Sequence, residues 1–146
     1  MKKIFLDANI IIDYLDASSR DHHTAADCMR IIRKHFGKPV VSPITFIITD
    51  FILGKFAKNK EWHKKQMQLT FSAFEITDVK SSFIANIFKT HFTDLEDGLQ
   101  YQCAIHAKAF VIITKDISDY FDSKIPVVHP IDFVVRYKNI LEFRLK

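Results

Sequence analysis

Short apolar runs alternate with longer stretches of helical periodicity along this chain. Five of the runs have the length of strands, and they cover residues 4–6, 40–41, 71–76, 109–113 and 126–128. The stretches between them repeat apolar residues at spacings of three and four, which is typical of helices that bury one face. The pattern therefore predicts the order β-α-α-β-α-α-β-α-α-β-β-α.

Strands that alternate with helices in this way favour a mainly parallel sheet with helices on both faces. We therefore predict an α/β fold, a three-layer α/β/α sandwich around a central, mainly parallel sheet of about four to five strands. The chain has 146 residues and contains no internal repeat, low-complexity tract or linker. We expect one domain that spans residues 1–146.

Local signals predict where several of the helices begin. Ser42 and Pro43 suit the cap and the first position of a helix that runs to about Phe56. That helix is apolar on most faces, so we expect it to be buried. Residues 93–96 have the capping-box pattern, which predicts a helix that begins at Thr93 and ends near Lys108.

Charge and cysteine content narrow the function only slightly. The formal net charge is +4, which would suit a polyanionic partner but also occurs in many proteins that bind none. Cys28 and Cys103 lie far apart without metal-ligand spacing, so we expect buried thiols in a reducing compartment. No signal pattern or membrane span is visible. These features predict a cytoplasmic protein that does not enter a membrane.

Acidic residues gather at one edge of the predicted sheet. Asp7 ends the first strand, Asp116 follows the strand at 109–113, and Asp94 and Asp97 lie in the first turn of the helix that leads into that strand. The carboxyl ends of parallel strands share an edge with the N-termini of such helices. The four acids therefore converge if the strands at 4–6 and 109–113 are neighbours. Helix capping by Asp7 and Asp94 and a turn at Asp116 are the alternative roles.

Clustered carboxylates repel one another unless a divalent cation neutralises them. Oxygen ligands without cysteine or an obligatory histidine suit Mg²⁺ or Mn²⁺. A metal ion held in this way can activate water and stabilise the charge that develops on a reacting phosphate. Phosphodiester hydrolysis is therefore the predicted chemistry, and a metal-dependent phosphatase is an alternative.

Several segments resemble those of PIN domains, in that family's order and spacing. They are FLDANIIID at residues 5–13, VSPIT at 41–45, DLEDGLQ at 94–100 and ITKD at 113–116. The ending SKIPVVHPIDF at residues 123–133 is similar to PIN proteins of the VapC-like toxin type. The resemblance implies a metal-dependent endoribonuclease that acts on RNA as the toxin of a toxin–antitoxin pair. It also implies a cognate antitoxin protein and a homodimer.

The residues that match the family's site are polar and belong to the same predicted edge of the sheet. The resemblance implies that three acids bind Mg²⁺ or Mn²⁺ and take part in catalysis, namely Asp7, Asp97 and Asp116. It implies Asp94 as a further metal ligand. The auxiliary positions are the polar neighbour Asn9, the outer acid Asp119 and Thr114, whose hydroxyl would bind phosphate or orient Asp116.

One position departs from the family's pattern. PIN nucleases usually carry Glu on the helix after the second strand, and the simplest alignment puts Ile48 there. Asp50 lies two residues further on, about 200° around the helix, so it does not simply replace that Glu. The alternative function is therefore a catalytically weakened PIN-fold module that binds RNA or protein.

A basic segment is the candidate RNA contact. Its side chains could hold phosphates while an indole stacks on a base, and they are Lys55, Lys58, Trp62, Lys64 and Lys65. A solvated basic face explains the same residues equally well.

Overall fold

The structure is a computed structural model that describes the backbone of residues 1–144 and the side chains of residues 1–139. Its strands are β1 (Lys3–Leu6), β2 (Val40–Val41), β3 (Glu75–Ile76), β4 (Ala109–Ile113) and β5 (Val127–Val128). Its helices are α1 (Ala8–Leu15), α2 (His22–His35), α3 (Pro43–Phe56), α4 (Lys60–Ala73), α5 (Ser81–Ile87), α6 (Leu95–His106) and α7 (Pro130–Arg144). A 3-10 turn spans Ile117–Tyr120. The predicted order of strands and helices is confirmed.

All four strand pairs of the sheet are parallel, and the strand order is β3-β2-β1-β4-β5. The chain order reverses between β1 and β4, which are the central neighbours. Their register pairs Leu6 with Ile113, so both strands end at the same level. This is the point of an open parallel sheet at which ligands bind.

The two faces of the sheet bury separate apolar clusters. Ile4 and Leu6 point to the face that α1, α2 and α7 cover, whereas Phe5 and Ile112 point to the face that α5 and α6 cover. This alternation follows from the two-residue period of a strand. The predicted α/β/α sandwich is therefore confirmed.

The predicted strand at residues 71–76 is mostly wrong. Helix α4 continues to Ala73, and only Glu75–Ile76 is strand. The Thr70 and Ser72 hydroxyls donate to carbonyls one helical turn earlier, at 2.8 and 3.0 Å, which is compatible with the helix. The strand is short because its partner β2 has only two residues to pair with.

The predicted burial of α3 is also wrong. The side chains of Ile47 and Phe51 are 66% and 64% exposed, and the buried face consists of Thr45, Thr49 and Leu53. The helix packs on α1 along one side and forms a hairpin with α4 along another, where Phe46 meets the ring of Phe71. No layer covers the rest of α3 among the described residues.

Two smaller predictions concern the thiols and the membrane. Cys28 and Cys103 are both free and buried, as expected. Within residues 1–144, no helix is long and apolar enough to cross a bilayer.

Helices α5 and α6 approach each other most closely at Gly98. A Cβ at this position would lie 2.7 Å from Ile87 Cγ2, which no real contact allows. We expect Gly98→Ala to lower the free energy of unfolding by about 1–3 kcal/mol, because overpacking exceeds the gain of about 1 kcal/mol in helix propensity. Urea denaturation measures this change.

Gly54→Ala is the matched control. Its Cβ would meet only the flexible His63 side chain, at 3.3 Å, so the helix-propensity gain should keep the protein as stable as before or stabilise it. Equal stabilities of the two variants would contradict the close packing of α5 on α6.

Candidate metal and catalytic site

Asp7 connects the end of β1 to the start of α1. Its Oδ1 accepts a hydrogen bond from Ala8 N at 2.6 Å, and its Oδ2 accepts one from Thr114 Oγ1 at 2.8 Å. The side chain is only 7% exposed. Burial raises the pKa of Asp7, and these hydrogen bonds oppose the rise only in part. Asp7 therefore caps α1 and also presents its carboxylate at the edge of the sheet.

Asn9 joins the residues at the end of β4 to Asp7. Its Nδ2 donates to Asp116 Oδ2 at 3.1 Å and lies 3.2 Å from Thr114 Oγ1 and 3.4 Å from Asp7 Oδ2. Asp116 N donates to Thr114 Oγ1 at 3.0 Å. The structure thus brings together Asp7, Asn9, Thr114 and Asp116 in one hydrogen-bonded network.

Lys115 lies between two members of this network but points away from them. Its Nζ is 2.6 Å from Asp13 Oδ2 and 3.2 Å from Asp21 Oδ2. Burial by itself would lower the pKa of Lys115, but the two carboxylates raise it overall. The ammonium group therefore fixes the backbone beside Asp116 to α1 and the loop after it, and does not neutralise the acidic network.

The N-terminus of α6 presents further carboxylates to Asp7. Asp94 caps this helix in place of Thr93, accepting from Asp97 N at 3.0 Å. Burial, followed by the charges of Asp94, Asp119 and Asp7, raises the pKa of Asp97 to about 7. The predicted outer acids Asp94 and Asp119 thus lie within electrostatic reach of Asp97.

The sequence prediction missed two residues of this site. Glu96 was assigned only to the capping box, yet burial and the charges of Asp94 and Asp7 raise its pKa. Tyr120 was not considered, although it follows Asp116 by one helical turn, which was the available signal. Burial and the charges of Asp7 and Asp97 raise the pKa of Tyr120, so its hydroxyl also belongs to this edge of the sheet.

The donor set suits a hard divalent cation. All the converging donors are oxygens, and among the described residues no Lys, Arg or His forms an ion pair with Asp7, Asp97 or Asp116. Side chains as far as residue 139 contain no group of three His, Cys, Asp or Glu close enough to hold one ion. The acids therefore fit Mg²⁺ or Mn²⁺ by chemistry, and they must move closer to bind it.

Helix α3 contributes no acid to this cluster. Ile48 is half-buried, and Asp50 is exposed and pairs with His63 Nε2 of α4 at 3.0 Å. The contact between α3 and α6 is neutral, since Gln100 Nε2 donates to Thr45 Oγ1 at 2.9 Å. Asp50 therefore stabilises the hairpin of α3 and α4.

The candidate RNA contact lies at the far end of this hairpin. Lys55 is twelve residues beyond Pro43, which begins α3 next to the acidic edge of the sheet. Twelve helical residues correspond to about 18 Å. The lysines and Trp62, spread over residues 55–65, are thus not brought into the acidic cluster.

The pKa of Asp97 predicts how metal binding depends on pH. A cation must displace the proton that Asp97 holds below about pH 7, whereas above that pH the carboxylate is ionised. We expect Mn²⁺ affinity to fall by up to about tenfold per pH unit below 7 and to level off above it. Calorimetric titration between pH 5.5 and 8.5 measures this dependence.

Asp97→Asn should weaken binding and flatten its pH dependence. Asp132→Asn, a change in the first turn of α7, serves as the control and should bind like the native protein. A native affinity that does not change across this pH range would contradict the prediction.

Known proteins resemble this chain in sequence and in fold. The family model described as PIN domain matches residues 3–118 of the chain. A curated relative, ribonuclease VapC1 of Aquifex aeolicus strain VF5, is 25% identical over 142 residues, which cover 95% of this chain and 98% of the relative.

Two solved structures illustrate the shared fold. VapBC2 from Rickettsia felis, bound to a DNA fragment from its promoter, aligns with a TM-score of 0.64 at 18% identity and covers 86% of this chain and 97% of that chain. VapC20 of Mycobacterium tuberculosis, a toxin that cleaves the sarcin–ricin loop, aligns with a TM-score of 0.62 at 12% identity and covers 85% and 99%. At these identities the similarity establishes the fold.

Proposed function

The chain belongs to the PIN domain family, and we propose that it is a metal-dependent endoribonuclease that acts as the toxin of a toxin–antitoxin pair. The observation that carries this proposal is the convergence of carboxylates from β1, β4 and α6, where no described Lys, Arg or His side chain forms an ion pair with them. The ribonuclease name of its relative over nearly the whole chain supports the same reaction. The substrate is RNA, and cytoplasm is the compartment that this function requires.

Asp7, Asp97 and Asp116 are the proposed metal ligands, with Asp94 and Asp119 as outer acids. When bound, Mg²⁺ or Mn²⁺ would offset the repulsion among them and stabilise negative charge on the phosphate of an RNA substrate. Asn9 and Thr114 keep Asp7 and Asp116 oriented through the hydrogen bonds described above.

The second candidate is a PIN-fold module that binds RNA or protein without cleaving it. The apolar Ile48 and the pairing of Asp50 with His63 favour this alternative, because α3 then lacks the acid usual for the family. RNA binding that no divalent ion alters, together with no cleavage under any ion, would support it.

Cleavage of labelled single-stranded RNA tests the first proposal. We expect cleavage with Mg²⁺ or Mn²⁺ and none with EDTA. Asp7→Asn should reduce the rate on the order of 100-fold or more, because it removes a fixed charge from the site.

Asp132→Asn is the surface control and should cleave at the native rate. Equal cleavage in EDTA and in metal, or by native protein and Asp7→Asn, would rule the proposal out. Turnover of p-nitrophenyl phosphate without RNA cleavage would instead indicate the metal-dependent phosphatase.

The exposed hairpin of α3 and α4 is the surface that we propose for an antitoxin. Its outward side chains are apolar, and more than half of each is exposed: Ile47, Phe51, Phe56, Leu69 and Phe71. A groove of about 480 Å³ lies between the two helices and is lined in part by Phe46, Met67 and Phe71. Apolar surface of this extent on a folded protein is typical of an interaction site.

The charge of the hairpin surface indicates which kind of protein would bind there. Exposed lysines outnumber the exposed acids Asp50 and Glu61 on this hairpin, and they are Lys55, Lys58, Lys60, Lys64 and Lys65. A second copy of the hairpin would bring like charges together, whereas an acidic amphipathic segment would be attracted. The homodimer that we also propose therefore uses a different surface. The RNA contact predicted for some of these lysines stays a prediction.

Phe51→Lys tests the docking surface. If a small protein is encoded immediately upstream, the variant co-expressed with it should bind that protein at least tenfold more weakly, because it puts a charge in the apolar centre. Phe88→Lys is the control, since Phe88 is 77% exposed beyond the end of α5. Calorimetry of the purified pair gives both affinities.

Unchanged affinity in Phe51→Lys would overturn this docking site. Light scattering of the isolated chain measures its oligomeric state and provides a second test. A native dimer that becomes a monomer in Phe51→Lys would show that a second copy occupies the hairpin instead.

A further inference from the structure

The hydroxyl of Tyr120 is a buried polar group without a partner. The residue is 2% exposed, and no described atom is placed to form a hydrogen bond with its hydroxyl. A buried hydroxyl usually has a partner because leaving it unpaired costs its full desolvation energy. An unpaired buried hydroxyl therefore indicates that a bound ligand or a functional state supplies its hydrogen-bond partner.

The aromatic ring of Tyr120 is fixed in position. It packs in the cluster that contains Phe5 and Ile112, and it meets the ring of Phe92 edge to face at 6.2 Å and 79°. The hydroxyl cannot leave the acidic edge of the sheet without disturbing this packing.

The hydroxyl lies close enough to the Asp7 carboxylate to act on it as a weak hydrogen-bond donor, but their geometry falls short of a full hydrogen bond. Its proximity is sufficient to lower the pKa of Asp7, against the larger effect of burial. Asp7 already accepts from Ala8 N through Oδ1 and from Thr114 Oγ1 through Oδ2. A carboxylate has about four acceptor positions, so capacity for a further donor and for a cation is left.

We propose that Tyr120 is a positioning residue whose hydroxyl donates to the Asp7 carboxylate when a divalent cation is bound, and that this hydrogen bond raises metal affinity. This inference rests on the metal dependence in the proposed function. Donors behind a ligating carboxylate fix its orientation, and their loss typically costs 10–100-fold in metal affinity. A phenol hydroxyl keeps its proton at neutral pH, so the group can donate.

Tyr120→Phe removes the hydroxyl and keeps the ring. We expect the dissociation constant for Mn²⁺, measured by calorimetry, to rise about tenfold. The thermal midpoint of the metal-free variant should stay the same or rise, because an unpaired buried hydroxyl has been removed. In RNA cleavage, kcat at a fixed limiting Mn²⁺ concentration should fall while KM for RNA stays unchanged.

Tyr101→Phe is the matched control within the same aromatic cluster. The Tyr101 ring stacks on Phe92 at 5.0 Å and 27°, but its hydroxyl accepts from Lys124 N at 3.0 Å. We expect this variant to lower the thermal midpoint and to leave Mn²⁺ affinity as in the native protein. The two variants thus separate a role in metal binding from a role in folding.

Two outcomes would overturn the inference, and they are distinguishable. If the native protein binds Mn²⁺ and Tyr120→Phe binds it equally well, the hydroxyl has no role at the metal site while the proposed function stands. If the native protein binds neither Mn²⁺ nor Mg²⁺, both this inference and the proposed metal dependence fail.

Discussion

The hydrogen bond from Thr114 Oγ1 to Asp7 Oδ2 joins the carboxyl ends of the two central strands, and the candidate site is arranged around it. The bond forms because the parallel register pairs Leu6 with Ile113, so the next residue of each strand leaves the sheet at the same level. A register shift of one residue would turn Thr114 to the opposite face of the sheet. The apolar clusters on the two faces prevent such a shift, since Ile112 and Ile113 of the same strand would exchange sides. Core packing therefore determines the position of the first carboxylate.

The segment from Thr114 to Asp116 separates charges of opposite sign. Thr114 and Asp116 face the acidic cluster, whereas the side chain of Lys115 points to Asp13 and Asp21 on the opposite side. The ion pairs of Lys115 anchor the backbone beside Asp116, and among the described side chains none forms an ion pair that compensates the acidic cluster. Burial is the main cause that raises the pKa values of Asp7 and Asp97, and repulsion from neighbouring carboxylates adds to the rise. A bound cation would relieve that repulsion, which links metal binding to the stability of this edge of the sheet.

Sequence patterns predicted the parts of the fold that depend on periodicity. The sequence predicted the strands but left the adjacency of β1 and β4 as a condition, and the sheet order meets that condition, so that Asn9 bridges Asp7 and Asp116. The exposure of α3 could not be predicted, because an apolar helix face looks the same whether a layer or a partner covers it. Tyr120 lies in the mostly polar turn ISDYFDS at residues 117–123, where its spacing from Asp116 is the only signal. Its ring is core, and only the direction of its hydroxyl, a tertiary feature, links it to the acids.

Ile48 stands where the family usually has Glu, but the acidic cluster loses less carboxylate charge through this replacement than the alignment suggests. Asp50 cannot supply the acid expected on α3, because its carboxylate pairs with His63 and holds α4 against α3. Glu96 lies on α6 instead, and its raised pKa reflects the charges of Asp94 and Asp7. The cluster thus contains another carboxylate near Asp7, delivered by a different helix. Since a hard cation depends on the number and charge of oxygen ligands more than on the helix that carries them, the substitution at Ile48 does not by itself argue against metal binding.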